Sequence, residues 1–314
     1  MAGNAGNAGN AGNAGNAGGV GAVNSGSGGV FVLPDRVDLP FVTVIGSETG
    51  GQVATPVPIS SKTVAITAFP ARCWSAEWRA WVALSEYATL SAAWQAITLN
   101  PWSDPTVATT NPATPSEIDQ LITAARDERA DALGEIVAQN EEFASYFMAL
   151  LTITPNSHPG TWRVINIASI VGMFTVLYFK TGPGNLGVQG NPRQYLSRPR
   201  PSQVCPALSP PVPVPGHASY PSGHSTEAHL IAACLNDVLA GLTTTDSDSM
   251  AVDLRALADR IARNREIAGL HYPSDSAAGV ALAGFIFPIL SGMQEYQSAL
   301  TVAQAEWVSP GSDA

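Results

Sequence analysis

Ten prolines fall between residues 181 and 223, and apolar residues at helical spacing flank that stretch on both sides. Proline fixes φ and removes a backbone donor, so no continuous helix or central strand can cross it. The pattern therefore predicts helix, long irregular connector, then helices again. Upstream, the period predicts a helix over roughly 163–179. Downstream, helices are expected over 225–240, 252–269 and 276–290. A connector this long inside a compact domain is more often functional than idle.

A further helix start reads as Thr114-Pro115-Ser116-Glu117, with Thr114 as cap, proline in the first turn and glutamate three residues on. Ile118, Ile122, Ala125, Leu133 and Ile136 then form its expected apolar face, while Asp127, Glu128, Arg129 and Asp131 read as a solvated face without function. Short β-like runs are expected at 41–45 and 63–69. Trp74, Trp78, Trp81 and Trp94 mark a helical stretch expected to use its indoles for packing. Residues 1–29, with their Ala-Gly-Asn repeats, are expected to be a low-complexity flexible tail, because they bury too little to offset their ordering entropy. The expected organisation is thus a mainly α helical bundle over 30–314, its active site within 193–275.

Net charge is −10, which argues against nucleic acid as a partner, so any anion site must be a local basic pocket. Cys73, Cys205 and Cys234 show no disulfide or zinc-like spacing. The apolar runs 164–179 and 277–290 fall short of the ~18–20 residues a bilayer span needs, so no membrane span is expected. No basic segment followed by an apolar run opens the chain, which leaves a cytoplasmic location as the default and periplasmic or secreted locations open. Homo-oligomerisation is left open.

Three clusters carry chemistry. The first runs from Arg193 through Arg200-Pro201. The second is Tyr220-Pro221-Ser222-Gly223-His224. The third is Arg265, then His271, then Asp275. Leu254, Leu257, Ala258, Ile261 and Ala268 form one helical face, and Arg265 falls on it while Arg260 and Arg263 fall off. A guanidinium aimed inward is costly unless it meets an anion; a structural carboxylate partner is the plainer alternative. Pro-Ser-Gly before a helix offers backbone N–H groups to an anion, and glycine permits close approach. His224 shares the inward stripe of Ala228, Ile231, Leu235 and Val238; His229 lies off it. His271 and Asp275 stand four apart, so the aspartate can fix the imidazole tautomer.

In order, these clusters resemble the signature K-x6-R-P, P-S-G-H, S-R-x5-H-x3-D of the superfamily uniting vanadium-dependent haloperoxidases, bacterial class A acid phosphatases and type 2 phosphatidic acid phosphatases. The resemblance covers 193–275. It implies a helical bundle, with His271 as nucleophile or vanadium ligand and Asp275 as its orienting partner. It implies Arg200 and Arg265 as oxyanion-neutralising cations, Ser222 and Gly223 as donors, and His224 as general acid–base. Two positions depart: Arg193 stands for lysine and Asn264 for serine. Arginine keeps the charge but is larger and forked, and Arg193 is still expected to contact the oxyanion. Lys180 could supply an ammonium, against the plainer reading of a snorkelling surface lysine.

The first expectation is a phosphatase that takes a small phosphorylated substrate through a phosphohistidine and requires no cofactor. The alternative is a vanadate-dependent haloperoxidase using halide and hydrogen peroxide, favoured by His217 seven residues before His224, on the halide or substrate side. Two other classes stand behind these: a divalent-metal site of His217, His224, Glu227 and His229, and a scaffold using the Ala-Gly-Asn tail.

Overall fold

The computed structural model describes residues 42–45, 53–56, 74–100, 102, 116–181, 198–240, 242 and 244–307. The expected N-terminal tail, the 63–69 strand, Cys73, Thr114 and Arg193 lie outside the described residues. Val42–Ile45 (β1) and Val53–Pro56 (β2) form an antiparallel pair with Val42 opposite Pro56. They belong to a compact unit, 16–75, separate from the helical unit.

The helical unit is mainly α. Its elements are α1 (Ala76–Thr89), α2 (Ser91–Trp94), α3 (Glu117–Asp127), α4 (Arg129–Glu141), α5 (Ala144–Leu150), α6 (Pro159–Thr181), α7 (Pro201–Val204), a 3-10 turn at Pro206–Leu208, α8 (Gly223–Leu239), α9 (Thr244–Ile267), α10 (Pro273–Ser291) and α11 (Gln294–Gln304). At the centre, α8 packs against α6, α9 and α10, while α6 also meets α1 and α11. The core is built from Ile165, Ile167, Val171, Leu230, Ile231, Leu235, Leu282 and Ile286. Each such side chain contributes roughly 1.5–3 kcal/mol when fully buried. Where α8 and α10 cross, Gly279 leaves no room for a side chain: a Cβ there would stand 2.7 Å from that of Ser225.

Several expectations need correcting. The cap of α3 is Ser116, whose Oγ accepts the Asp119 N–H at 3.2 Å. The expected single helix breaks at Glu128, and its buried side is Leu121, Ala124 and Ile136; Ile122 and Leu133 are exposed. The burial follows the tertiary partner, not the most regular apolar stripe. Of the tryptophans only Trp94 is in the core, stacked on Tyr87; Trp74, Trp78 and Trp81 sit on the outer side of α1, whose buried side is Ala80, Ala83 and Tyr87. Arg129 does not belong to a solvated face: its Nε donates to Ile267 O at 2.9 Å and its Nη1 to Leu208 O at 2.7 Å.

The expectation of no membrane-length segment is overturned. Pro159–Lys180 and Pro273–Ser291 are helices of 22 and 19 residues with mean hydropathy 1.5 and 1.4, long and apolar enough to cross a bilayer by length and composition. Counting only uninterrupted apolar runs missed the glycines, serines and threonines that extend each helix at little cost in hydropathy. Within the protein, 67% of the first apolar window and 44% of the second are buried.

Candidate active site

Two helix boundaries build the site. At the first, Ser222 caps α8, its Oγ accepting the Ser225 N–H, so Gly223 and His224 occupy the first turn. At the second, α9 ends at Ile267 and Gly269, at φ +75°, reverses the chain. A left-handed residue is cheap only for glycine. The reversal brings His271 back toward Arg265, whose carbonyl accepts the Leu270 N–H. Tyr272 then starts α10, and Asp275 in its first turn accepts the Tyr272 N–H on Oδ2 at 3.0 Å. The two boundaries are tied together by Ser222 N–H donating to Asp275 O at 3.0 Å.

One cavity is lined by Lys180, Arg200, His217, His224, Arg265 and His271, with Gly223 and Asn140 beside them and Met173, Val176 and Leu177 of α6 as an apolar wall. Among the described residues no carboxylate lines it. Ser222 is fully buried just behind the lining, and Asp275 stands behind His271. The three clusters read from the sequence thus converge, apart from Arg193, which lies outside the described residues.

Arg200 is buried and reaches two loops. Its Nη1 donates to Leu270 O at 3.0 Å and to His271 Nε2 at 3.1 Å; its Nη2 donates to His217 Nδ1 at 2.9 Å. Burial lowers its pKa to about 10, which keeps it cationic at neutral pH. Arginine only donates, so the His271 Nε2 that it faces carries a lone pair and that ring is neutral. His271 therefore bears its proton on Nδ1, 3.2 Å from Asp275 Oδ2. Burial, then the Arg200 charge, holds its pKa well below the usual histidine value. His217 Nδ1 also lies 3.2 Å from Ala218 O, and its Nε2 is a buried nitrogen without a partner among the described residues. Its pKa is lowered to about 4 by burial and by Lys180 and Arg200.

Arg265 is fully buried, and its Nη2 donates to Ile136 O at 2.8 Å. Its Nε and Nη1 have no partner among the described residues. The plainer alternative, a structural carboxylate, is absent among the described residues, since no ion pair forms at Arg265. Burial lowers its pKa to about 10. His224 packs on Phe143 and lies 3.1 Å from Gln139 O through Nε2. Burial and then Arg265 lower its pKa to about 3. Asn264, at the family's serine position, donates to Glu135 and to the Gln139 side chain at 2.9 Å each. It thereby ties α9 to the turn of α4 that receives both Arg265 and His224.

Residues 167–299, from within α6 into α11, match the PAP2 superfamily. At the superfamily level that match supports a phosphatase-like hydrolase. No curated protein matches the chain. The matched segment holds most of the cavity, yet Asn140 of α4, which lines it, and Ile136 and Gln139, whose carbonyls meet Arg265 and His224, lie outside that segment.

Sequence reasoning missed two contributors, Ser219 and Arg198, and raised Lys180 only against the plainer reading of a surface lysine. Lys180 is not a surface lysine: its buried ammonium donates to Ala218 O at 2.7 Å and Ser219 O at 3.0 Å and lines the cavity. Burial holds its pKa well below the ordinary lysine value. Ser219 Oγ donates to Asp275 Oδ2 at 2.5 Å. Arg198 is buried against Asp275 Oδ1 at 2.6 Å. The Arg-Pro-Arg-Pro run was a legible signal for Arg198; nothing local marked Ser219. The proposed divalent-metal set does not assemble. His229 turns to Ser225 O and Asp259, and Glu227 is buried between α6 and α8 with its carboxyl pushed far up by burial.

Proposed function

We propose that the protein hydrolyses phosphate monoesters through a phosphohistidine at His271. The observation that carries this reading is the set of unpaired donors. Nε and Nη1 of Arg265 are buried without partners among the described residues, at a cavity whose described lining holds three basic side chains and no carboxylate. A buried unsatisfied donor costs about 1–3 kcal/mol, more when charged. An oxyanion with several acceptor oxygens satisfies these donors together.

Nε2 of His271 attacks phosphorus as Arg200 Nη1 moves from that nitrogen to a phosphoryl oxygen. The P–O bond to the alcohol breaks, and His224 gives a proton to the departing oxygen. The bound anion offsets the Arg265 and Arg200 charges that depress His224, so the proton can reside there when substrate is present. Arg200, Arg265 and the Gly223 N–H, with Ser222 behind them, take up charge as the five-coordinate phosphorus forms. In the second half, His224 removes a proton from water, which attacks phosphorus; the P–N bond breaks and His271 is restored. Asp275 keeps the Nδ1 proton oriented throughout.

His217 favours a second reading, because its imidazole lines the same cavity. The same donors suit vanadate, with His271 Nε2 as its ligand; when bound, vanadate supplies peroxide activation toward halide. One assay separates the two. Purified protein is given a generic phosphate monoester, and separately bromide with hydrogen peroxide, each with and without vanadate. Hydrolysis that vanadate inhibits supports the phosphatase. Bromide oxidation that requires vanadate, without hydrolysis, replaces it with the second reading.

A further inference from the structure

Asp275 is held from both sides. Its Oδ2 accepts from Ser219 Oγ, the Tyr272 N–H and His271 Nδ1–H, while its Oδ1 faces Arg198 Nη1 at 2.6 Å. Arg198 is itself anchored. Its Nη2 meets Glu117 Oε2 at 2.5 Å, its Nη1 also donates to Ser274 Oγ, and its guanidinium lies 4.0 Å over the Tyr272 ring. Glu117 Oε1 in turn accepts the Ser274 N–H at 2.8 Å, so one carboxylate at the start of α3 grips both the arginine and the first turn of α10. Glu117 lies outside the PAP2 segment.

We propose that Arg198, held by Glu117, is the positioning residue that pins the Asp275 carboxylate in its charged geometry facing His271. This rests on the phosphatase reading for its kinetic consequence. A carboxylate already paired with a guanidinium is a poor base. It therefore orients the His271 Nδ1 proton without taking it. Phosphohistidine then stays protonated at Nδ1, and a cationic imidazole is the better leaving group when water attacks. Other charges near the pair are Lys180 of α6 and Arg200, both positive, with Glu266 of α9 and the Tyr220 hydroxyl on the remaining sides.

The test compares Arg198→Met, Arg198→Lys and Glu117→Gln, using the pH dependence of kcat/KM for a phosphate monoester and 15N NMR titration of the His271 ring. In Arg198→Met the His271–Asp275 pair takes up its proton at higher pH, by about one unit or more. In Glu117→Gln, Arg198 no longer shares its charge, and the midpoint moves the opposite way. Arg198→Lys keeps the direction of the wild type. A merely structural role scales the rate and leaves the midpoints in place; unmoved midpoints in Arg198→Met overturn the proposal. If Arg198→Met does not fold, Glu117→Gln decides, because an unmoved or upward midpoint there overturns it too. The NMR arm needs no turnover, so absence of hydrolysis in the wild type counts against the phosphatase reading alone.

Discussion

Arg200 Nη1 stands 3.1 Å from Nε2 of His271. Because arginine has no acceptor, this one contact fixes the tautomer of the imidazole and leaves its cavity-facing nitrogen with a lone pair. The expected 15N spectrum at neutral pH has a pyridine-type Nε2 and a pyrrole-type Nδ1 for His271. The reversed pattern would show that Arg200 and Asp275 do not set the ring. His271→Ala should abolish turnover, and an undiminished rate would remove His271 as nucleophile.

Arg265 separates stability from function. It is buried with two unpaired N–H groups, and replacing such a charge with a well-packed apolar side chain is often neutral or stabilising. Arg265→Met should melt at the same temperature as the wild type or higher, while vanadate affinity and turnover fall by about 100-fold or more. A large loss of thermal stability with affinity retained would place Arg265 in the framework instead.

The site's imidazoles make stability depend on pH. In the unfolded chain a histidine takes up its proton near pH 6.5. Folded, His224 does so only near 3 and His217 near 4. Between those values the unfolded state binds more protons, so stability falls as pH drops from about 6.5 toward 4. Asp275, whose pKa is lowered by its His271 and Arg198 contacts against the opposing effect of burial, adds to this as pH falls through the carboxylate range. Melting curves at pH 7.5, 6.0 and 4.5 should show a falling Tm, with a shallower slope in His224→Asn. Equal slopes in the two proteins would mean that His224 is not the buried neutral group described.

Gly279 sets the α8–α10 distance. Its missing Cβ would meet Ser225 Cβ at 2.7 Å and Ser222 O at 2.9 Å. Gly279→Ala should cost about 1–3 kcal/mol in urea unfolding and lower kcat, because Ser222 and Gly223 move with the helix start. Gly284, with open space around it, is the matching control, and Gly284→Ala should leave kcat unchanged and raise stability by about 0.5–1 kcal/mol, since alanine favours the helix. Equal effects at the two positions would contradict the close crossing.

Arg129 joins the turn after α7 to the end of α9, through Leu208 O and Ile267 O. Arg129→Ala should destabilise by about 1–3 kcal/mol and reduce kcat more than it raises KM, since the turn it braces delivers His271. Unfolding in urea and steady-state kinetics check both; a wild-type kcat would limit Arg129 to stability.

The local sequence determined a good deal. Helical periodicity found α6, α8, α9 and α10 to within several residues at each end, because an amphipathic or continuously apolar period is a property of neighbouring residues. The order of Arg200, Ser222-Gly223-His224 and Arg265–His271–Asp275 pointed to one site, since residue type and spacing carry that chemistry. The tertiary structure decided what depends on partners distant in sequence. It buried Leu121 and Ala124 in place of Ile122, left three tryptophans on the outer side of α1, and sank Lys180 into the cavity. It brought Glu117 and Gln139 across more than 80 residues to Arg198 and His224. Those pairings follow from how helices pack against each other. No local period encodes which carbonyl or carboxylate will meet a buried guanidinium; the fold assigns it when desolvation makes an unpaired charge too costly to leave alone.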